Sequence, residues 1–452
     1  MNIIIVGFGK VGQKIAEKIS EEKEHNITVV DVNAKIVDDL VGQYDVMGVI
    51  GSGASMDILN EAGIKSADLL IAVTASDELN LLTCLIARKC GNCQTIARIR
   101  KPEYYNEIQL LKKDLGLAMI INPEFTAATE IARLLRFPSA INIDTFAKGR
   151  VELLKFKIAE DSLLNSLKVS DIFTKLNCNV LICGVERNDE AFIPGGDFEL
   201  LSGDLVSIVS SHENATEFFK KIGVNTNRVK DTMIVGGGDT AYYLAKQLLK
   251  SGIKVKLIEQ NLERCEQLCD LLPKAEIING DGTNNSLLLE TGVDQAESFV
   301  ALTNIDEENV LLSLFARKRM NGKVVTKINR IAYDEVISEL NLDSTIYPKN
   351  ITAEYIVKFV RALNNSIKSD IETMHYILDG KAEALEFRIT ENSPVADVMI
   401  ENLSLKNNII IACIHRKGSV IIPRGKDMMK AGDSVVVITT TKGFKEISDI
   451  LK

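Results

Sequence analysis

Two kinds of stretch alternate along the first part of the chain. Continuous apolar runs stand at 2–6, 27–31, 46–50, 68–73, 94–99 and 117–121. Between them apolar residues recur every three or four positions, at about 11–20, 34–41, 55–62, 77–90 and 103–113. The runs predict strands buried on both faces and the periodic stretches predict amphipathic helices. Their alternation predicts a doubly wound parallel sheet of Rossmann type. A helical stretch from Pro123 to Arg136 follows. The pattern then turns to longer apolar runs, one helix and Gly/Pro turns at 145–158, 167–176, 178–186 and 204–210. That change predicts a second, smaller α/β domain.

The whole pattern is then written again. Gly7-Phe8-Gly9-Lys10-Val11-Gly12 returns as Gly236-Gly237-Gly238-Asp239-Thr240-Ala241, an offset of 236 − 7 = 229. The same offset relates Gly51 to Gly280, Gly63 to Gly292, Thr74 to Thr303, Asn80 to Asn309, Arg98 to Lys327, Pro194 to Pro423 and Gly203-Asp204 to Gly432-Asp433. A glycine loop can recur by chance, but one register held to the end of the chain predicts a tandem duplication. The second copy has its helical stretch at Pro348 to Leu363 and small-domain segments at 374–389, 395–402, 408–416 and 433–439. The expected domains are therefore a Rossmann-type domain at 1–122, a linking helix at 123–142, a small domain at 143–225, and the same series at 229–347, 348–368 and 369–452. The stretch 223–230 is the expected link between halves.

Composition narrows the class. Of 452 residues, 46% are hydrophobic and 25% charged, which suits packed domains with little disorder. A net charge of −9 argues against a nucleic-acid or anionic-lipid partner. No apolar run approaches the roughly 20 residues that cross a bilayer, and Met1 leads directly into a strand, so a cytoplasmic place is expected. Eight cysteines are too sparse for a disulfide scaffold. Cys90-Gly91-Asn92-Cys93 and the Cys265/Cys269 pair have spacings that can hold zinc or exchange thiols, but no second pair stands near either.

The glycine loops carry the candidate chemistry. Gly7 and Gly9 lie between a strand and a helix, where the first makes the turn and the second lets backbone approach a pyrophosphate. Gly12 permits close packing of helix on strand, and Phe8, Lys10 and Val11 complete the loop. Asp31 ends the second strand 31 − 12 = 19 residues later, where an acid takes hydrogen bonds from ribose hydroxyls and repels a 2′-phosphate. The expected ligand is NAD(H) or an adenine nucleotide. In copy two the corresponding residues are Gly236, Gly237, Gly238 and Glu259, with Ala241 third.

After the third strands come Ser52 and Gly53, and Asp281 and Gly282, where a loop covers the adenine edge; Asp281 can accept from an adenine amine, and Ser52 is the weaker partner. The two sites are expected to differ. Thr74 and Ala75, and Thr303 and Asn304, end the fourth strands, either at the crevice of the sheet or as helix caps. Arg98 and Arg100, and Lys327 and Arg330, place cations near the same edge, for a phosphate or for a surface ion pair.

Catalytic machinery is not visible. Of four histidines, His25 lies in a polar turn, His212 begins a surface helix, and His375 and His415 fall in small-domain strands. No catalytic or metal-binding motif accompanies them. Two readings follow, a nucleotide-sensing regulator and an NAD-dependent oxidoreductase of unrecognised substrate. The duplication favours the regulator, because a dehydrogenase needs one hydride-transfer site whereas a ring gains from paired lobes.

The motifs from Ile5 to Gly12, from Gly51 through Glu61-Ala62-Gly63, from Val73 to Asn80 and from Ala97 to Arg100 resemble the RCK, or KTN, family. The small domains, with Ile193-Pro194-Gly195 through Gly203-Asp204 and Ile422-Pro423-Arg424 through Gly432-Asp433, are similar to that family's C-terminal companion. The resemblance implies a cytoplasmic gating subunit, peripheral on the inner face of the cell membrane, that binds NAD(H), ATP or ADP. It further implies a homotetramer and a membrane potassium-translocating partner of the TrkH/TrkG type. It assigns nucleotide contacts to Gly7, Gly9, Gly12, Asp31, Thr74 and Arg98, and to Gly236, Gly238, Glu259, Asp281, Thr303 and Lys327. Ser52, Ala241 and Lys327 depart from the family's usual acid, glycine and arginine.

Overall fold

The structure is a computed structural model. It describes all residues except 21–24, 103, 105, 106, 109–111, 113, 137–141, 147–150, 189, 224–228, 330–336, 338, 341, 369, 370, 379, 380 and 442. Much of the helix expected at 103–113, most of the link at 223–230, and Arg330 lie outside the described residues.

The first copy opens with strands β1 (Asn2–Val6), β2 (Asn26–Asp31), β3 (Met47–Ile50), β4 (Leu69–Ala72), β5 (Gln94–Arg98) and β6 (Met119–Ile121). All pair in parallel, in the order β3-β2-β1-β4-β5-β6. The central strands are buried on both faces, β4 along its whole length, as their unbroken Val/Ile/Leu content requires. Between the strands run α1 (Lys10–Ser20), α2 (Ala34–Val41), α3 (Met56–Glu61) and α4 (Asp77–Cys90). Helix α1 buries Val11, Gly12, Ile15, Ala16 and Ile19, one stripe at helical spacing. Ser55 and Ser76 cap α3 and α4 by accepting the amides of Ile58 and Leu79. Helix α5 (Pro123–Arg136) follows, with proline at its first position.

The small domain contains β7 (Asn142–Phe146), β8 (Val151–Lys157), α6 (Val169–Leu176), β9 (Leu181–Arg187), β10 (Glu190–Phe192), β11 (Leu205–Ser210) and α7 (His212–Lys221). Its strands are antiparallel, in the order β10-β9-β11-β8-β7. The run at 145–158 thus divides between β7 and β8.

The second copy repeats the plan. Its parallel sheet, β12 (Asp231–Val235), β13 (Lys254–Glu259), β14 (Glu276–Asn279), β15 (Ser298–Ala301), β16 (Lys323–Lys327) and β17 (Ser344–Ile346), has the order β14-β13-β12-β15-β16-β17. Its helices are α8 (Asp239–Lys250), α9 (Leu262–Leu271), α10 (Asn285–Glu290), α11 (Asp306–Arg319) and α12 (Pro348–Lys368). The antiparallel sheet comprises β18 (Ile371–Ile377), β19 (Ala382–Arg388), β20 (Ile409–Arg416), β21 (Ser419–Ile421) and β22 (Ser434–Thr439), in the order β18-β19-β22-β20-β21.

Two elements differ between copies among the described residues, and one is α7, whose counterpart is only the 3-10 turn Ile447–Ile450. Where the first copy has α6, segment 395–402 holds only a 3-10 turn, Ile400–Asn402. From the equivalent left-handed residues Ser166 and Asp397 to the next strand, copy one has 181 − 166 = 15 residues and copy two 409 − 397 = 12. The markers Gly203-Asp204 and Gly432-Asp433 also find their reason here. Asp204 takes a two-pronged bond from Arg187 at 2.7 and 2.7 Å, and Asp433 takes one from Arg416 at 2.9 and 2.7 Å.

Compact units cut across the copies. One comprises Met1–Ala132 and Lys230–Val357, the two parallel-sheet lobes; the other comprises Arg133–Val229 and Lys358–Lys452, the two small domains. In the first unit Tyr243 of α8 is the central cross-lobe side chain. It donates to the Arg100 carbonyl (3.2 Å), accepts from Asn122 Nδ2 (3.0 Å) and meets the Phe125 ring edge-on at 5.4 Å. Gln247 donates to Thr129 (3.1 Å), and Lys18 of α1 pairs with Glu354 of α12 (2.8 Å). We expect Tyr243→Phe to lower stability by only about 1 kcal/mol, since Asn122 Nδ2 loses one acceptor but still donates to the Arg100 carbonyl (3.1 Å); urea denaturation of this variant against the parent provides the check.

In the second unit the two small sheets share one core. Phe146, Val151, Leu153, Cys183 and Val209 of one pack with Ala384, Ala412, Cys413, Val436 and Ile438 of the other. Phe146 also meets His375 edge-on at 4.5 Å.

Candidate functional site

At the end of β1 the chain must turn at once into α1. Gly7 makes that turn at φ 92, where a Cβ would lie 2.6 Å from the Thr74 amide nitrogen; only glycine fits both demands. The Phe8 amide donates to Asp31 Oδ2 (2.6 Å), and the Asn33 amide to Asp31 Oδ1 (2.9 Å). The acid at the end of β2 therefore braces the loop from below, and one lone-pair direction on each oxygen is left for another donor. The Phe8 ring is fully buried. A Cβ on Gly12 would lie 2.2 Å from the Gly7 carbonyl oxygen, so the first turn of α1 sits directly on the loop.

Gly9 is different. It is exposed, and nothing stands within 4 Å of the place its Cβ would take. Open space thus meets the N-terminus of α1, where the first amides have no partner within the helix and the dipole favours an anion. Lys10 beside it is exposed, while Val11 faces the core.

The ends of β4 and β5 are tied by Asn80, a fully buried residue of α4. Its Oδ1 accepts from the Thr74 amide (2.8 Å) and hydroxyl (2.7 Å); its Nδ2 donates to the carbonyls of Thr74 (3.3 Å) and Arg98 (2.9 Å). Thr74 is therefore not the cap of α4, a role that Ser76 fills. Buried Asp77 accepts the amides of Arg100 and Lys101 at 2.9 Å each, and Arg100 reaches back to the Ala75 carbonyl. Gly53 packs against the strand, since a Cβ there would lie 2.3 Å from Val6; Ser52 accepts the Ala54 amide (3.3 Å).

Arg98 turns toward Glu124 at the start of α5, 3.7 Å away. Burial pushes the Glu124 carboxyl up, with Arg98 opposing, and pulls the Arg98 guanidinium down. Arg98 Nε and Glu124 Oε2 are both buried without a hydrogen-bond partner. The pair is long and incompletely satisfied, which leaves the cation able to meet a stronger acceptor.

The second lobe keeps the frame and changes the trim. Gly236 turns at φ 100, the Gly237 amide donates to Glu259 Oε2 (2.6 Å) and the Asn261 amide to Glu259 Oε1 (2.8 Å). Space is again open at Gly238, while a Cβ on Gly282 would lie 2.2 Å from Val235. Asn309 repeats the tie, accepting the Thr303 amide (2.8 Å) and donating to the carbonyls of Thr303 (3.0 Å) and Lys327 (2.9 Å). Lys327 is buried and donates to the Leu302 carbonyl (3.2 Å); burial pulls its ammonium down, with Asp306 and Glu124 opposing. A surface ion pair is thus excluded for Lys327. Asp281 spends Oδ1 on the Thr283 amide and hydroxyl, at 2.9 and 2.8 Å, and these bonds hold its carboxyl below the usual range.

Three groups that shape this site escape sequence reasoning: Asn80 with Asn309, Asp77 with Asp306, and Tyr243 with Asn122. For the first two the available signal was their repetition at the 229 offset. Nothing local marks the third.

Cys90 and Cys93 are free thiols, and burial pushes Cys93 up. Among the described residues no cluster of three His, Cys, Asp or Glu side chains is placed to hold a metal, and no helix is long and apolar enough to cross a membrane.

Comparison with known proteins supplies the family. The TrkA-N domain matches residues 3–123 and 232–348, and the TrkA-C domain residues 153–223 and 384–452. A Trk system potassium uptake protein TrkA homolog from Archaeoglobus fulgidus is 30% identical over 452 residues, covering 100% of both chains. The Trk system potassium uptake protein TrkA of Haemophilus influenzae is 31% identical, covering 100% of this chain and 98% of its own. Among solved structures, a GsuK channel bound to NAD shares the fold with a TM-score of 0.63 at 16% identity, over 97% of this chain and 77% of that one. Two glycine loops of Rossmann type, two small antiparallel domains and full-length likeness to these relatives establish that the chain belongs to the TrkA family of Trk potassium uptake proteins.

Proposed function

We propose that this chain is a nucleotide-sensing gating subunit, which binds NAD(H) or an adenine nucleotide in its parallel-sheet lobes and sets the activity of a membrane potassium-translocating subunit of the TrkH/TrkG type. The observation that carries the reading is the open cradle over Gly9, where a loop braced by Asp31 meets a helix N-terminus with nothing in the way. In this reading Gly7, Phe8, Gly9, Lys10, Val11 and Gly12 receive the pyrophosphate, Asp31 the ribose, and Ser52 and Gly53 the adenine edge. Thr74, Ala75 and Arg98 line the remaining side. Gly236, Gly237, Gly238, Glu259, Asp281, Gly282 and Thr303 form the second seat, with Lys327 supporting it from within.

The NAD named for the GsuK channel fits this assignment. The protein acts in the cytoplasm on the inner face of the membrane, as a homotetramer whose eightfold set of lobes forms a ring. In this reading it is a regulator rather than an enzyme, which the duplication of the whole module favours.

Gly9→Asp tests the reading with little risk to the fold, since the new side chain enters open space. A carboxylate in the phosphate seat is expected to weaken NADH binding at the first lobe about thirtyfold, or about 2 kcal/mol. Calorimetry reads this in a chain whose second loop is closed by Gly238→Asp. Full affinity in the Gly9→Asp, Gly238→Asp chain would remove the glycine loops from the binding site. Potassium flux in liposomes holding the membrane subunit, with and without this chain and NADH, tests the gating role; flux indifferent to both would end it.

A further inference from the structure

The two glycine loops carry opposite charge at the same place. Helix α1 opens with Lys10, and α8 opens with Asp239 at the 229 offset. The same offset relates Lys35 in α2 to Arg264 in α9, and only Arg264 turns onto its loop. Its Nε donates to the Gly237 carbonyl (2.8 Å) and its Nη2 pairs with Asp239 Oδ1 (3.2 Å). Among the described residues neither Lys10 nor Lys35 has an ion-pair partner, and both are exposed.

The first loop thus has an exposed, uncompensated cation at the head of its helix, whereas the second has a neutral pair clipped across its own backbone. Charges near an anion's seat grade its ligands by their charge.

Resting on the nucleotide reading above, we propose that the seats are charge-graded: the first accepts triphosphates, whereas the second, through the Asp239–Arg264 clip, selects the dinucleotide over the triphosphate. A dinucleotide presents a pyrophosphate diester, which an amide cradle and dipole satisfy unaided. A triphosphate adds a terminal group whose further negative charge must lie toward the first turn of the helix. There the exposed Lys10 attracts it in one lobe, while in the other the neutral Asp239–Arg264 pair, clipped to the Gly237 carbonyl, offers no net attraction.

The test uses the full-length chain with one loop closed at a time, by Gly9→Asp or Gly238→Asp, and calorimetry with ATP and with NADH. The second lobe is expected to favour NADH over ATP by about tenfold more than the first lobe does. Adding Asp239→Lys to the Gly9→Asp chain is expected to return that tenfold, and Asp239→Asn about half of it on a logarithmic scale. The grading should shrink as salt rises, which a merely structural change would not produce.

Equal NADH-to-ATP preference in the two lobes, or a preference untouched by both Asp239 variants, overturns the proposal. So does a second lobe that binds neither ligand while the first binds both. If neither lobe binds either ligand, the nucleotide reading itself falls, and the grading falls with it.

Discussion

Gly12→Ala is expected to abolish nucleotide binding at the first lobe and to cost about 2–3 kcal/mol of stability, the upper range for overpacking a tight contact. The added methyl would stand 2.2 Å from the Gly7 carbonyl oxygen, a backbone atom that cannot swing aside. To admit it, α1 must lift from the loop, and the amides that face the open cradle move with it. The second copy makes the contrast informative. Ala241 occupies the matching position and is fully buried, so that lobe already accommodates a methyl group there. Ala241→Gly there should cost only about 1 kcal/mol, the loss of helix propensity. Urea denaturation and calorimetry on both variants check the pair of values; a Gly12→Ala chain that melts and binds as the parent does would show the separation to be free.

Asn80→Ala should produce the other large effect, a loss of about 3–4 kcal/mol, from several buried polar groups left without partners at about 1–3 kcal/mol each before relaxation. The Thr74 amide and carbonyl and the Arg98 carbonyl all lose their shared partner. The ends of β4 and β5 then separate, carrying Thr74 and Arg98 out of register with the glycine loop. Nucleotide affinity at the first lobe should fall with stability. Asn309→Ala should cost a similar amount while leaving first-lobe affinity intact. Thermal melts and calorimetry on the two variants distinguish these outcomes, and an affinity loss in both, or in neither, would count against Asn80 as the local brace.

What could be seen in the residues was whatever local period or local turn chemistry dictates. The strand runs, the amphipathic helices and the Gly7 and Gly236 turns all express constraints acting within a few residues. The Asp31 and Glu259 carboxylates stood where expected but have a second task, since each holds the loop amide above it. Asn80 was harder, because a lone polar residue in a helix reads as surface; here it faces inward between two strand ends. The division of 145–158 into β7 and β8 was hidden because β7, Asn142–Phe146, is largely polar and only its end, Thr145 and Phe146, falls within that stretch. Least visible was the pairing across copies. Asn122 and Tyr243 are 243 − 122 = 121 positions apart, and no periodicity connects residues at that distance. Only the fold brings them together.

That pairing bears on how the two lobes were able to part company. In a symmetric dimer of identical chains every substitution is made twice, once on each side of the axis. Covalent union of two such halves lifts this bond, because each side is then inherited separately. Glu124 follows Pro123 at the head of α5, whereas Lys349 follows Pro348 at the head of α12, an acid in one copy and a base in the other. Lys10 and Asp239 record the same release. The two lobes still meet through Tyr243 and Asn122, and the two small sheets still share one core. A single polypeptide can in this way carry two unlike glycine loops on one repeated frame.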